Sequence, residues 1–264
     1  MIDSTGSVQI EWEKLPWPDV RDCLARQPAA ILPVGATEQH GPHMGCGMDY
    51  VLADRLCRAV AWQTHVLMLP VMPYGCSIGH SRRWPGTIAL QPKTLIDVVA
   101  DMGRWAYYSG VRRLFIVNTH VTNAAPLRCA LEMLRAEFDE LMIAIFHSAT
   151  LSERVRKAHF ADGDDWHAND AETSLMLAQA NDMVIADRLA SADDPDRTDG
   201  LVFAHPVNHT SRNGVTGQPS AASVDKGQQL FSWMVEDLSS LISKGLTETS
   251  PLPHSYDSDI RTEV

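Results

Sequence analysis

The sequence predicts an α/β fold of three layers, with a mainly parallel central sheet held between helices. Two observations carry that expectation. Short apolar runs of strand length recur along the chain with helix-period stretches between them, the pattern that right-handed βαβ crossovers produce. The polar motifs of the first half follow directly on such runs, and in open parallel sheets the ligand-bearing loops leave the carboxyl ends of the strands.

Taken in order, the strand-like runs are "AAILPV" (29–34), "HVLMLPVMP" (65–73), "RLFIVN" (113–118) and "LMIAIFH" (141–147). Helix-period stretches fill the intervals at 50–63, 91–110 and 123–138, the second ending at Gly110, a residue suited to a helix C-cap. The interval 162–180, "DGDDWHANDAETSLMLAQA", begins as an acidic loop and enters a helix near Ala168. Turn residues crowd 203–223, and 224–243 reads as a closing amphipathic helix. Residues 1–243 are therefore expected to form one domain, long enough to bury a core without a staple. Residues 244–264 form a polar, proline-containing tail, expected to be mobile or laid on a neighbouring subunit.

Composition narrows the function classes. A formal charge of −11 argues against nucleic acid or an anionic membrane as partner. No apolar run approaches the roughly 18 residues of a membrane span. The first twenty residues lack a basic region followed by an apolar stretch, so a cytoplasmic protein is expected. Cys23, Cys46, Cys57, Cys76 and Cys129 are scattered, with no CxxC pair, which points to reduced thiols rather than disulfides or a zinc knuckle. Phosphate-loop, dinucleotide and nucleophile-elbow signatures are absent from the sequence.

The chemistry gathers in "PVGATEQHGPHMGCGMDY" (33–50). In an extended segment, residues i and i+2 project to one side, so Glu38 and His40 can address one point. Gly41, Gly45 and Gly47 would let the chain fold Asp49 back onto it. Imidazole with carboxylates and no thiolate suits Zn²⁺, Mn²⁺ or Fe²⁺, and one carboxylate can bridge two ions. An isolated E-x-H is more often a hydrogen-bonded loop, but His120 in "NTHVTN" emerges at the same sheet rim and adds a ligand. In "HANDAETS", Asp170 and Glu172 fall where a helix N-terminus favours carboxylates. The capping role competes there with Glu172 orienting His167 for proton exchange. His80 and Arg82 in "GHSRRWPGT" are candidates to meet a substrate at the rim. His43 is left as support behind the ligands.

These motifs, together with "NGVTGQPSAAS", stand in the order and at about the spacing of the creatininase (creatinine amidohydrolase) family, which the chain resembles from about residue 10 to 243. The resemblance implies a creatininase-like α/β/α domain, often a homohexamer, with one or two divalent ions that hydrolyse a small cyclic amide. It implies Glu38, His40, Asp49 and His120 as metal ligands, Asp49 as the bridge, His167 as acid/base and Glu172 as its partner or a further ligand. The chain departs from the pattern at Val121 and Thr122, where creatininase itself carries an aromatic residue and a glutamate ligand, and at Gly163, where it carries a tryptophan lid. Trp166 is nearby but out of register. Val121, Thr122 and Trp166 are thus expected to shape the substrate pocket, and creatinine is disfavoured. Two other readings stand beside the amide one: a metal-dependent hydrolase of a lactone or cyclic ketone from a polyol, and an inactive relative serving as a binding module.

Overall fold

The computed structural model describes residues 9–80 and 82–252. Four strands, β1 (Ala29–Val34), β2 (Leu67–Met68), β3 (Arg113–Asn118) and β4 (Met142–His147), form one sheet in the order β2-β1-β3-β4. Every pairing is parallel, with Leu32 opposite Ile116 and Ile116 opposite Ile145. All six residues of β1 are buried, as a central strand with a helix layer on each face must be.

Alternation along the strands divides the core in two. Ile31, Phe115 and Val117 face α2 (Met48–Thr64), α6 (Asp170–Gln179) and α8 (Val224–Thr247), meeting Leu52, Leu56, Leu175, Met234 and Leu238. Leu32, Val34, Leu114 and Ile116 face α1 (Trp17–Arg26), α3 (Pro92–Ser109) and α4 (Ala124–Glu137), meeting Leu24, Leu95, Val99, Leu127 and Leu134. Full burial of each such side chain contributes about 1.5–3 kcal/mol. Two short helices, α5 (Glu153–His159) and α7 (Val207–Thr210), complete the chain.

Three elements differ from their expected bounds. The run 65–73 yields only the two residues of β2, because Pro70 and Pro73 have no N–H to donate. Its continuation clings to β1 by single bonds, Leu69 N to Ile31 O at 2.9 Å and Met72 N to Pro33 O at 3.0 Å. The helix expected near Ala168 starts at Asp170, capped by the Asn169 side chain accepting from Glu172 N at 3.1 Å. The closing helix runs to Thr247 rather than 243. Gly245 passes against the Phe115 ring, where a Cβ would come within 2.7 Å, and Arg113 donates to the carbonyls of Gly245 and Glu248. The tail from 253 onward lies outside the described residues. No described helix is long and apolar enough to cross a membrane.

Candidate metal centre

The centre is assembled where β1 and β3 end. Gly35 follows β1, and a Cβ there would sit 2.4 Å from Tyr50 Cα, so only glycine lets the first turn of α2 abut the strand end. That approach sets Asp49 beside Glu38. Gly41, at φ +66°, turns the chain back after His40. Thr119, just beyond β3, donates its hydroxyl to the Asp49 carbonyl at 2.8 Å and fixes the opposite side. The two asparagines of "NTHVTN" complete the frame. Asn123 accepts from Cys76 N at 2.8 Å and donates to Gly35 O at 3.0 Å, and Asn118 clasps the His120 backbone through both its N–H and C=O.

Within this frame three overlapping groups have ligand atoms all within 4.8 Å of one another: Glu38, Asp49 and His120; His40, Asp49 and Glu172; Glu38, His40 and His167. Asp49 joins the first two groups. Its Oδ2 lies 3.5 Å from His120 Nδ1 and its Oδ1 lies 3.6 Å from His40 Nε2. Glu172 Oε2 is 3.9 Å from the same His40 nitrogen. The backbone orients the rings. His40 Nδ1 donates to Glu38 O at 3.0 Å, which turns Nε2 toward Asp49 and Glu172, where the neutral ring would offer its lone pair to a cation. His120 Nε2 is 3.1 Å from Cys76 O, which leaves Nδ1 facing Asp49.

The donor chemistry fits a divalent cation. Both carboxylate oxygens of Glu38 and Oδ2 of Asp49 are buried without a hydrogen bond among the described residues. Buried carboxylate oxygens left without hydrogen bonds are costly even beside imidazoles, and a bound cation would offset that cost. The field of the site points the same way. Burial alone would depress His40, yet the carboxylates of Asp49, Glu172 and Glu38 raise it to about 10. Burial pushes Glu172 up to about 7, whereas His40 and His120 hold Asp49 below the usual carboxylate range against the same burial.

Other expected residues fall into three positions. His80, Val121, Thr122 and Trp166 line a cavity of about 680 Å³ that opens over the centre. The Thr122 hydroxyl is already engaged, donating to Cys76 O and lying 2.5 Å from His120 Nε2. Arg82 is exposed on its turn and does not contribute to the cavity wall. His43 lies behind the ligands, its Nε2 2.9 Å from Thr173 Oγ1.

The expected pairing of His167 with Glu172 does not form. Ala168, at φ +51°, turns the chain between them, so Glu172 accepts from Ala168 N at 2.6 Å and faces His40. His167 instead donates from Nε2 to Gln39 O at 2.7 Å and sets Nδ1 3.4 Å from Glu38 Oε1. Among the site residues that the sequence did not single out are Gln39 and His147. Gln39 was passed over because alternation turns it away from Glu38 and His40, and it proves to contact His80, His167 and the loop at Gly214. His147, at the end of β4, lines the cavity, and only its place at the last residue of an apolar run could have marked it.

A parallel α/β sheet whose strand ends gather buried carboxylates, several of their oxygens without hydrogen bonds, around oriented imidazoles fits the class of metal-dependent hydrolases. Residues 13–242 match the family described as Creatininase, creatinine amidohydrolase, and the chain belongs to that family. Among its relatives, a mycofactocin precursor peptide peptidase of Mycobacterium ulcerans is 31% identical over 238 residues, covering 82% of this chain and 85% of that protein. A creatinine amidohydrolase of Pseudomonas putida is 30% identical over 236 residues, covering 83% and 90%. A solved mutant creatininase of Zn-Zn type superposes with a TM-score of 0.81 at 27% identity, over 92% of this chain and all of that one. A manganese creatininase gives 0.80 at 26% identity, over 91% of this chain and all of that one.

Proposed function

We propose that this chain hydrolyses an amide C–N bond in a substrate between a small cyclic amide and a short peptide in size. The observation that carries the reading is the set of buried carboxylate oxygens on Glu38 and Asp49 left without hydrogen bonds. Glu38, Asp49 and His120 would hold one cation, and His40, Asp49 and Glu172 a second, with Asp49 shared. Zinc or manganese suits this oxygen and imidazole set. When bound, the metal supplies polarisation of the amide carbonyl and a lowered pKa for the attacking water.

The chain's own residues supply the rest. His167, anchored through Nε2–H on the Gln39 carbonyl, keeps its Nδ1 lone pair toward Glu38 and is the group to take a proton from water and return it to the leaving nitrogen. Glu172 serves as a ligand beside His40 rather than as the partner of His167. A cavity of about 680 Å³ is within the range that encloses drug-sized molecules, which supports substrates larger than a single small ring. A homohexamer, suggested by the family resemblance, would show in light scattering as six times the 29.2 kDa of the chain. The five free cysteines fit a reducing compartment such as the cytoplasm.

The test is turnover of cyclic amides, short peptides, lactones and cyclic ketones before and after chelation. Turnover of an amide that is lost on chelation and restored by zinc or manganese supports the reading. Full turnover in metal-free protein overturns it, and hydrolysis confined to the lactones or ketones transfers the activity to that bond.

A further inference from the structure

Gln39 is buried, and its amide orientation is fixed by two backbone groups with one role each. The Gly41 N–H can only donate, and it meets Oε1 at 2.9 Å. The Gly214 carbonyl can only accept, and it meets Nε2 at 3.0 Å. A flipped amide would break both bonds. The Nε2 group therefore has one hydrogen left, with His80 Nδ1 3.0 Å away and His167 Nε2 3.2 Å away; His167 Nε2 carries the proton it gives to the Gln39 carbonyl and cannot accept, which leaves His80 Nδ1. An amide nitrogen cannot accept a hydrogen bond, so Nδ1 of His80 must. A neutral imidazole with an accepting Nδ1 carries its proton on Nε2. That Nε2–H has no hydrogen-bond partner among the described residues and lies in a ring that lines the cavity, while Nδ1 also lies 3.5 Å from Glu38 Oε1, beyond the 3.0 Å at which it meets the Gln39 amide.

The same residue fixes the other histidine in the opposite sense. The Gln39 backbone carbonyl takes the proton of His167 Nε2 at 2.7 Å, so in the neutral ring Nδ1 is left as an acceptor. The two rings pack edge to face with centroids 4.5 Å apart.

We infer that Gln39 is a positioning residue that holds the two cavity histidines in complementary tautomers, making His80 Nε2–H the donor to the substrate's carbonyl oxygen while His167 Nδ1 accepts the proton. The donor role rests on the amide-hydrolysis reading; the tautomer assignment does not. A neutral N–H fixed before the substrate arrives stabilises an oxygen that gains charge in the transition state without needing to reorganise. It also selects for substrates that carry an acceptor oxygen at that point.

Long-range proton–nitrogen NMR on the zinc-loaded full chain, labelled at histidine nitrogen, reads the tautomers directly. His80 is expected as Nε2–H, with Nδ1 unprotonated. In Gln39→Glu the donor at 3.0 Å is replaced by an acceptor oxygen at hydrogen-bond distance, closer than Glu38 Oε1 at 3.5 Å and with no amide hydrogen to oppose it, so the proton should move to Nδ1 and reverse the His80 signature in zinc-loaded protein. For any amide turned over in the screen, Gln39→Glu and His80→Phe should each lower kcat by about 10²-fold with a smaller change in KM. His80→Gln, which restores an N–H, should recover part of the loss. An Nδ1–H tautomer for His80 in the unaltered protein, or an unchanged tautomer in zinc-loaded Gln39→Glu, overturns the assignment. A correct tautomer with kcat unaffected by His80→Phe overturns the donor role. The NMR result stands even if no amide in the screen is turned over.

Discussion

Asp49 would be the residue on which a two-cation centre depends, because among the described residues it belongs both to the group with His120 and to the group with Glu172. Asp49→Asn keeps the shape and removes the charge. Metal affinity should fall by more than about 100-fold, beyond the loss typical of an outer partner, and elemental analysis after dialysis measures it. Unfolding by denaturant should show little loss of stability in the metal-free state, since a buried charge has been removed from a crowded carboxylate site. Glu38, His40 and His120 stood out in sequence because they follow apolar strand runs at one sheet rim, and Asp49 because the glycines before it could fold it back; an isolated E-x-H alone reads as a hydrogen-bonded loop. The partner of His167 was not legible. A spacing of five residues says nothing of the positive φ at Ala168 that turns Glu172 toward His40 and leaves His167 on Glu38 and Gln39.

Elements meet in the site through close approaches that tolerate no added atom. Gly35→Ala would drive a Cβ into the first turn of α2 at Tyr50, so it should destabilise the fold by about 1–3 kcal/mol or more and weaken zinc binding together with it. Thermal unfolding and metal titration of one preparation test both effects. Helix α5 places a second constraint beneath the cavity. His159 is buried against Trp166 with ring centroids 5.2 Å apart, and neither ring nitrogen has a hydrogen-bond partner among the described residues. Burial, with a smaller contribution from His147, pushes it down to about 3. The unfolded chain binds this proton near pH 6.5 and the folded chain does not. Stability is therefore full above that pH and is lost as pH falls toward 3. Denaturation midpoints measured across that window should fall less steeply for His159→Phe than for the unaltered protein. No element was assigned to the stretch that holds α5, since seven residues between loops carry too few turns for periodicity to register. The shortness of β2, by contrast, was written in Pro70 and Pro73.

At the scale of the whole molecule, a four-stranded parallel sheet brings residues separated by more than a hundred positions to one rim, and a cavity walled largely by later loops opens over it. The layers and the strand alternation were legible because burial on both faces leaves a continuous apolar run for each central strand. The cavity wall was legible only in part. Val121, Thr122, Trp166 and His80 reach it, Arg82 does not, and His147 joins it through the register of β4. Substrate choice is written in contacts between loops, which follow from no local pattern. The central claim is that Asp49 joins two metal positions, and anomalous scattering from crystals of the zinc-loaded protein tests it most directly. The account predicts a zinc peak within about 2.0–2.2 Å of an Asp49 oxygen, ligated with Glu38 and His120 or with His40 and Glu172, and both positions filled at saturating zinc. Fully occupied zinc bound away from Asp49, or crystals grown in saturating zinc with no peak at this carboxylate, would contradict it.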